Sequence, residues 1–294
     1  MKKLAEKIKR IGLVANTEKI SCRNLVQEAV VLIEAASRRA ICDAATARLA
    51  GLKGPACPDV ASLAKEVDLL MVFGGDGTML RIAREAAGSA TPLLGINAGG
   101  LGFLTDVSSD QLSLALEQIW AGEAILESRS LIEAVTENKG RPVSSLALND
   151  FVVSRGAAPR LIEVEVSVDD EVLTRYRCDG LIVCSPTGST AYSLAAGGSV
   201  VSPTADVFTL TPICPHTLSN RSVIVSLDSL VKIKVLSKTI EVVLTADGQT
   251  ISPMAAGESV SIRKSPRAIR LLHLAGSSFF ETLRKKLNWS GSHV

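Results

Sequence analysis

The sequence predicts an α/β protein with an N-terminal Rossmann-like domain and a C-terminal domain of antiparallel strands. In the first half, apolar runs of strand length alternate with stretches whose apolar residues recur at helical spacing. From about residue 125 the apolar residues recur at every second position instead, as in residues 162–168, which is typical of half-buried strands. We therefore expect an α/β domain over residues 1–124, a β-rich two-sheet domain over residues 125–276, and a helix over residues 277–294 that packs back on the first domain.

The composition indicates a folded protein without a preference for nucleic acid or membranes. Of the 294 residues, 47% are hydrophobic and 21% are charged, which suffices for a buried core. The 32 basic and 30 acidic residues leave a net charge of +2, so no basic surface is predicted. The six cysteines lie far apart without a CxxC pair, and we expect buried free thiols. No apolar run has the length of a signal peptide or a membrane span, so a cytoplasmic protein is predicted.

The first half alternates predicted strands with predicted helices. The strands are expected at residues 11–15, 67–73 and 92–97. The helices are expected at residues 21–37, 78–87 and 108–121, and residues 51–58 are expected to form a loop. Each strand followed by a helix is an α/β unit, and such units predict a parallel sheet.

The stretch Gly74-Gly75-Asp76-Gly77-Thr78 separates a buried strand from a helix. Ligands of open α/β sheets bind at the carboxyl ends of the strands, and glycines let the backbone approach a phosphate closely. A carboxylate facing a phosphate can take the proton of an attacking hydroxyl, which suggests phosphate transfer to an alcohol. On these residues alone, a glycine turn with a helix-capping aspartate is an equally good interpretation. The glycine spacing fits neither a Walker A loop nor a dinucleotide-binding GxGxxG.

A second glycine-rich turn follows the next predicted strand, at residues 98–103. Two such turns at the ends of nearby strands could face the same crevice. The alternative is that residues 95–102 form only a flexible connection.

The β-rich half contains two polar stretches that suit a flat polar ligand. Residues 179–198 run from an apolar strand into a turn of small hydroxyl residues, in which Thr190 and Ser193 could donate to a ribose or base edge and Tyr192 could stack. The alternative is a Ser/Thr-rich turn with a buried tyrosine. The dipeptide Asn149-Asp150 could clamp two adjacent hydroxyls, although it could equally be a turn.

The chain ends with a predicted helix that begins at a capping-box pattern. Ser278 and Glu281 have the capping-box spacing, and Phe280, Leu283 and Leu287 fall on one stripe of the helix. A terminal helix after a β-rich half is expected to pack on the α/β domain.

Taken together, these motifs resemble those of NAD kinases over essentially the whole chain. The shared segments, in the family's order, are residues 74–78, 95–97 with 101–104, 149–150, 179–180, 186–192, 215–219 with 221, and 247–249, together with the closing residues 283–289. Lipid kinases and phosphofructokinases carry loops similar to residues 74–78 but lack the segment 186–192.

The resemblance implies transfer of the γ-phosphoryl group of ATP, or of polyphosphate in some members, to the 2′-hydroxyl of the adenosine ribose of NAD, which gives NADP. It implies Asp76 as the catalytic general base and a divalent cation, normally Mg²⁺, whose ligands the sequence does not reveal. Homodimers or homotetramers are implied, with Asp179 and Gln249 near a subunit boundary. The implied NAD-binding residues are Gly77, Arg81, Phe103, Asn149, Asp150, Arg160, Arg177, Asp179, Thr190, Ala191, Tyr192, Ser193, Leu194, Ala195 and Gln249.

The sequence departs from the family pattern at two positions. Gly100 stands where relatives often carry a larger or polar residue, and Ser185 stands where Gly or Thr is common. Neither position is the proposed base, and Gly100 bears on the contacts with the phosphate donor.

Two other functions are alternatives to this one. A lipid kinase of the diacylglycerol or sphingosine type would need an apolar acceptor pocket or a membrane-binding patch, and the sequence indicates neither. A catalytically silent nucleotide-binding regulator would be expected to have lost the base or the pocket, yet Asp76, Asn149 and Tyr192 are present.

Overall fold

The chain folds into two compact units. The structure is a computed structural model and describes residues 5–105, 107–138, 141–157, 159–217 and 220–289. One unit comprises Met1–Ser128 with Ile269–Val294, and the other comprises Arg129–Ala268; we call them unit 1 and unit 2. The predicted fold class, an α/β part and an antiparallel β-rich part with a C-terminal helix that returns to the first, is confirmed.

Unit 1 is built on a parallel sheet with the strand order β2-β1-β3-β4. Its strands are β1 (Arg10–Ala15), β2 (Arg39–Cys42), β3 (Leu69–Gly74), β4 (Leu93–Asn97) and the short β5 (Val107–Ser108). Its helices are α1 (Ser21–Ala35), α2 (Ala44–Ala50), α3 (Val60–Glu66), α4 (Asp76–Glu85) and α5 (Leu112–Ala121), the last preceded by a 3₁₀ turn at Ser109–Gln111. Every residue of β3 and β4 is buried, as expected for parallel strands covered on both faces.

The register of β3 and β4 brings the two glycine turns to one edge of the sheet. The strands are parallel, and the last residues of each, Gly74 and Asn97, are paired. Both turns leave the sheet from this end, as predicted.

Four elements of unit 1 were not predicted from the sequence, and one helix begins earlier than expected. Strands β2 and β5 and helices α2 and α3 have two to seven residues, which is too short for a clear periodic pattern. Helix α4 begins at Asp76 because Gly75 is extended and serves as its N-cap. The Asp76 side chain therefore belongs to the first turn of the helix and not to a preceding loop.

Unit 2 consists of antiparallel strands in two groups that share one core, although the first residues of β6 and the last residues of β17 belong to unit 1. One sheet has the order β13-β12-β11-β8-β15-β16, and the other group contains β10-β9-β14-β17 and the pair β6-β7. The bounds are β6 (Ala124–Asn138), β7 (Arg141–Ala147), β8 (Asp150–Arg155), β9 (Ile162–Val168), β10 (Glu171–Cys178), β11 (Gly180–Cys184), β12 (Val207–Ile213), β13 (Val223–Ser226), β14 (Val231–Val235), β15 (Val242–Ala246), β16 (Gln249–Met254) and β17 (Ser259–Leu274). A 3₁₀ turn (Thr187–Thr190) and helix α6 (Tyr192–Ala195) follow β11.

The C-terminal helix α7 (Phe279–Leu287) belongs to unit 1, but two details of its prediction were wrong. The Ser278 side chain makes no capping hydrogen bond. Phe280 is 60% exposed, whereas Leu283 is buried as predicted. The ring that faces unit 1 is Phe279, which lies 6.4 Å from the Phe103 ring.

The cysteines match the expectation of free thiols, with one exception in burial. All six are free and five are buried, whereas Cys214 is exposed. Within the described residues, no helix is both long and apolar enough to cross a membrane.

Candidate active site

The carboxylate of Asp76 is held by the second glycine turn of unit 1. The amides of Phe103 and Leu104 donate to Asp76 Oδ2 and Oδ1 at 2.9 and 3.1 Å, and Thr105 Oγ1 donates to Oδ1 at 3.2 Å. An ionised carboxylate offers about four acceptor positions on its two oxygens. One position on Oδ2 therefore remains open. Asp76 itself is partly exposed, so a ligand can reach it.

Gly102 is required for this arrangement. A methyl group on residue 102 would overlap with the carboxylate of Asp76 and with Thr105 Oγ1. The turn approaches the carboxylate so closely only because residue 102 has no side chain.

The other predicted residues of unit 1 surround the same turns. Gly77 is exposed in the first turn of α4. Arg81 lies one turn further and forms an ion pair with Glu85 at 3.0 Å. The ring of Phe103 is half-buried and lies 5.0 Å from Lys286 Nζ of α7.

In unit 2, Asn149 and Asp150 are fixed by Asp247. The Asp247 carboxylate accepts hydrogen bonds from the amides of Leu148, Asn149 and Asp150 at 3.1, 2.8 and 3.3 Å. Asp247 and Gly248 both have positive φ angles, 46° and 76°, and they join β15 to β16 as a tight hairpin. This role of Asp247 was not predicted, although Asp-Gly between alternating apolar residues is a strong hairpin signal.

The carboxyl group of Asp150 is buried and has no hydrogen-bond donor among the described residues. Asp150 is 4% exposed. Burial, and then the negative charge of Asp247, raise the pKa of Asp150 to about 7. A buried carboxyl without a donor can receive a hydroxyl of a ligand at little cost.

The turn after β11 packs directly on Asn149. Ser185 is fully buried, and its Oγ donates to the Leu148 carbonyl at 2.5 Å and accepts from the Gly188 amide at 3.2 Å. The Ser185 amide donates to the Asn149 carbonyl at 2.8 Å. A side chain on Gly188 would overlap with that carbonyl, so this turn too depends on a close backbone approach.

The predicted segment 190–195 exposes some of its side chains and buries one. Tyr192 is 49% exposed, so it is not the buried tyrosine of the alternative interpretation. Thr190 is partly exposed, and its hydroxyl donates to the Thr187 carbonyl at 3.2 Å. Ser193 is fully buried and hydrogen-bonded to Thr211 Oγ1 at 2.9 Å. The expectation that the Ser193 hydroxyl donates to a ligand is therefore wrong for this conformation, and the hydroxyl instead holds the turn. The other members are partly or fully exposed, namely Ala191, Leu194 and Ala195.

The remaining predicted residues lie on the surface of unit 2. Three of them are exposed: Arg160, Arg177 and Gln249. Asp179 forms an ion pair with Arg155 at 2.7 Å, and sequence reasoning missed Arg155. It also missed the buried Arg129, whose Nη1 donates to Thr187 Oγ1 at 3.3 Å.

No group of three His, Cys, Asp or Glu residues that could hold a metal ion occurs in the described part of the chain.

Comparisons with known proteins agree on one family. The model of the ATP-NAD kinase N-terminal domain matches residues 58–124, and that of the ATP-NAD kinase C-terminal domain matches residues 148–274. The NAD kinase of Symbiobacterium thermophilum is 41% identical over 280 residues, which cover 95% of this chain and 99% of that protein. The NAD kinase of Heliobacterium modesticaldum is 46% identical over 242 residues, covering 82% of this chain and 85% of that protein.

Two solved structures are similar over nearly the whole chain. Yeast NADH kinase complexed with NADH superimposes with a TM-score of 0.88 at 25% identity and covers 98% of this chain and 89% of that one. An NAD kinase from Archaeoglobus fulgidus in complex with ATP gives a TM-score of 0.74 at 25% identity, covering 96% and 100%.

Proposed function

This chain belongs to the ATP-NAD kinase family and phosphorylates NAD to NADP with ATP as the donor, and we propose that Asp76 is the general base of the reaction. The observation that carries the proposal is the open acceptor position on Asp76 Oδ2. Its other acceptor positions are filled by Phe103, Leu104 and Thr105. The carboxylate is thus held in place and keeps one position for a proton.

In the proposed step, the 2′-hydroxyl of the adenosine ribose attacks the γ-phosphorus of ATP. The bond from the ribose oxygen to phosphorus forms, the bond from phosphorus to the bridging oxygen breaks, and ADP leaves. The hydroxyl proton passes to Asp76 Oδ2. The first turn of α4 is also a helix N-terminus, whose partial positive charge favours the negative charge of a phosphate.

Asn149 and Asp150 are the proposed ribose-binding pair of unit 2. The Asp247 carboxylate and the Ser185 amide hold the backbone of Asn149. The buried Asp150 carboxyl lacks a donor, which a ribose hydroxyl supplies. The half-exposed ring of Tyr192 offers a face for the nucleotide. The other proposed contacts are Gly77, Arg81, Phe103, Thr190, Ala191, Leu194, Ala195, Arg160, Arg177, Asp179 and Gln249, with Ser193 as a support of its turn.

A divalent cation, normally Mg²⁺, is part of the proposal. Mg²⁺ usually keeps several waters and binds through one or two carboxylates together with substrate phosphates. The described residues contain no cluster of three metal-ligating side chains. We therefore propose that the cation binds together with ATP, through the phosphates. When bound, it neutralises part of the triphosphate charge.

Asp179 is partly exposed and Gln249 is exposed, which is compatible with the homodimer or homotetramer that the family resemblance implies. The free cysteines fit the reducing cytoplasm as the proposed location.

The test measures NADP formation from NAD, ATP and Mg²⁺ by wild type, Asp76→Asn and Asp59→Asn. Asp59 caps the exposed start of α3 and serves as the control. We expect Asp76→Asn to lower kcat by roughly 10² to 10⁴, and Asp59→Asn to leave kcat unchanged. Calorimetric titration with NAD and ATP shows whether the variant still binds both substrates. Turnover of Asp76→Asn near that of the wild type would rule out the general base.

A further inference from the structure

A chain of three side chains links Asn97 to Asp76 through Thr105. Thr105 is fully buried. Its Oγ1 donates to Asp76 Oδ1 at 3.2 Å and lies 3.1 Å from Asn97 Nδ2. Asn97 ends β4 and is itself 4% exposed.

The orientation of the Asn97 amide follows from its other contacts. The Gly99 amide donates to Asn97 Oδ1 at 2.7 Å, and Nδ2 also donates to the Gly100 carbonyl. An amide nitrogen facing a carbonyl and an amide oxygen facing an N–H group can be assigned without ambiguity. Asn97 Nδ2 is therefore a donor toward Thr105.

The direction of the Thr105 proton follows in turn. A hydroxyl has one proton to donate and can accept from other groups. Because the amide nitrogen Asn97 Nδ2 is a donor only, the Thr105 hydroxyl accepts the hydrogen bond from it. Its own proton is directed at Asp76 Oδ1.

We infer that Thr105, oriented by Asn97, is a positioning residue that selects which oxygen of Asp76 takes the substrate proton. The inference rests on the proposed role of Asp76. With the hydroxyl in place, both acceptor positions of Oδ1 are filled and only Oδ2 has an open one. Without it, each oxygen has one open position, and the carboxylate can present either. Catalysis depends on reactive atoms held in one geometry, and a misplacement of about 1 Å can cost 10²-fold in rate.

The test compares Thr105→Val, which removes the hydroxyl at nearly constant volume, with Thr105→Ser, which keeps it. Thr46→Val is the matched control, because Thr46 is also a fully buried threonine of unit 1 and its Oγ1 accepts from the Ala15 amide. We expect Thr105→Val to lower kcat by about 10-fold with the KM values for NAD and ATP within about 2-fold of wild type. We expect Thr105→Ser to stay within about 2-fold of wild type in kcat, and Thr46→Val to lose thermal stability without losing kcat.

Three outcomes would overturn the inference. They are an unchanged kcat in Thr105→Val, an equal loss in Thr105→Ser, and an equal loss in Thr46→Val. If Thr105→Val does not fold, Thr105→Cys replaces it. Because the thiol is a weaker donor than a hydroxyl, the kcat of Thr105→Cys should be lower than that of Thr105→Ser. Asp76→Asn is assayed alongside: a large loss there with an unaffected Thr105→Val rejects the positioning role and leaves the general base intact, whereas full activity of Asp76→Asn rejects the base itself.

Discussion

The carboxylate of Asp76 and the backbone of Gly102 lie so close together that a single methyl group on residue 102 would overlap with Asp76 Oδ1. The contact joins the first turn of α4 to the turn after β4. It follows from the parallel register that pairs Gly74 with Asn97. The two glycine turns therefore act as one structure around one carboxylate.

Gly102→Ala should disable the site while leaving the rest of the unit folded. The added methyl group displaces the Asp76 carboxylate from the amides of Phe103 and Leu104, and we expect kcat for NADP formation to fall by about 10². Gly100→Ala is the matched control, because a Cβ at Gly100 meets nothing within 4 Å and Gly100 does not have a positive φ. Since Gly100 bears on the contacts with the phosphate donor, both variants are assayed at saturating ATP. Equal kcat values in the two variants would contradict the close-contact argument.

The sequence was sufficient to predict that the two glycine turns lie at one edge of the sheet. It was not sufficient to predict that the second turn donates hydrogen bonds to the carboxylate of Asp76. Periodicity and glycine placement locate the ends of β3 and β4, and parallel pairing then places both turns together. The hydrogen bonds from Phe103 and Leu104 to Asp76 come from backbone amides, which every sequence has, so no residue type signals them. Gly75, and not Asp76, is the N-cap of α4, and no side chain caps this helix, so the interpretation of Asp76 as a helix-capping aspartate is wrong. The phosphate-facing role of its carboxylate stays a prediction.

Asp247→Asn should weaken NAD binding through Asn149. Three successive amides converge on the Asp247 carboxylate, and an amide side chain offers one acceptor oxygen and places N–H donors against the others. We expect the KM for NAD to rise by about 10-fold with kcat less affected.

Asp169→Asn is the control for this prediction. Asp169 also occupies a hairpin turn with a positive φ, 51°, and accepts from the Leu230 amide, so the same substitution tests the same backbone geometry elsewhere in unit 2. A rise in KM in both variants, or in neither, would show that Asp247 does not position Asn149.

Side-chain burial was the least predictable part of the site. Ser193 lies between exposed neighbours, Tyr192 and Leu194, and its burial depends on Thr211, which lies on β12 and is remote in sequence. The same holds for Phe279 and Phe280, where helical spacing alone favoured the wrong ring. The local sequence pattern predicts a helix or strand and which of its faces is apolar. Which residues cover that face is decided by the tertiary structure.

Asp150 should make the protein less stable as the pH rises toward neutrality. Burial and the charge of Asp247 raise its pKa to about 7 in the folded protein, above the usual value of about 3.9 in an unfolded chain. The stabilisation carried by the protonated carboxyl is fully present below pH ~4 and is lost as the pH rises through about 7. The pKa difference of about 3 units, at about 1.4 kcal/mol per unit, makes the full loss of unfolding free energy on the order of 4 kcal/mol.

Urea unfolding of wild type and Asp150→Asn from pH 4 to 8 measures this effect. The difference between the two curves isolates Asp150 from other groups that titrate in the same range. We expect the variant to lose less stability than the wild type between pH 4 and 7. Parallel curves for the two proteins would mean that Asp150 does not titrate there.

Phe279 should support the active-site turn, whereas its neighbour Phe280 should not. The Phe279 ring packs 6.4 Å from that of Phe103, and the Phe103 amide is one of the donors to Asp76. Phe279→Ala removes this support, so we expect the free energy of unfolding to fall by about 1–3 kcal/mol and kcat to fall several-fold. Phe280 is 60% exposed, and Phe280→Ala should change the free energy of unfolding by no more than about 0.5 kcal/mol and leave kcat unchanged. A stability loss in Phe279→Ala without any change in kcat would mean that α7 stabilises unit 1 but does not hold the turn that carries Phe103.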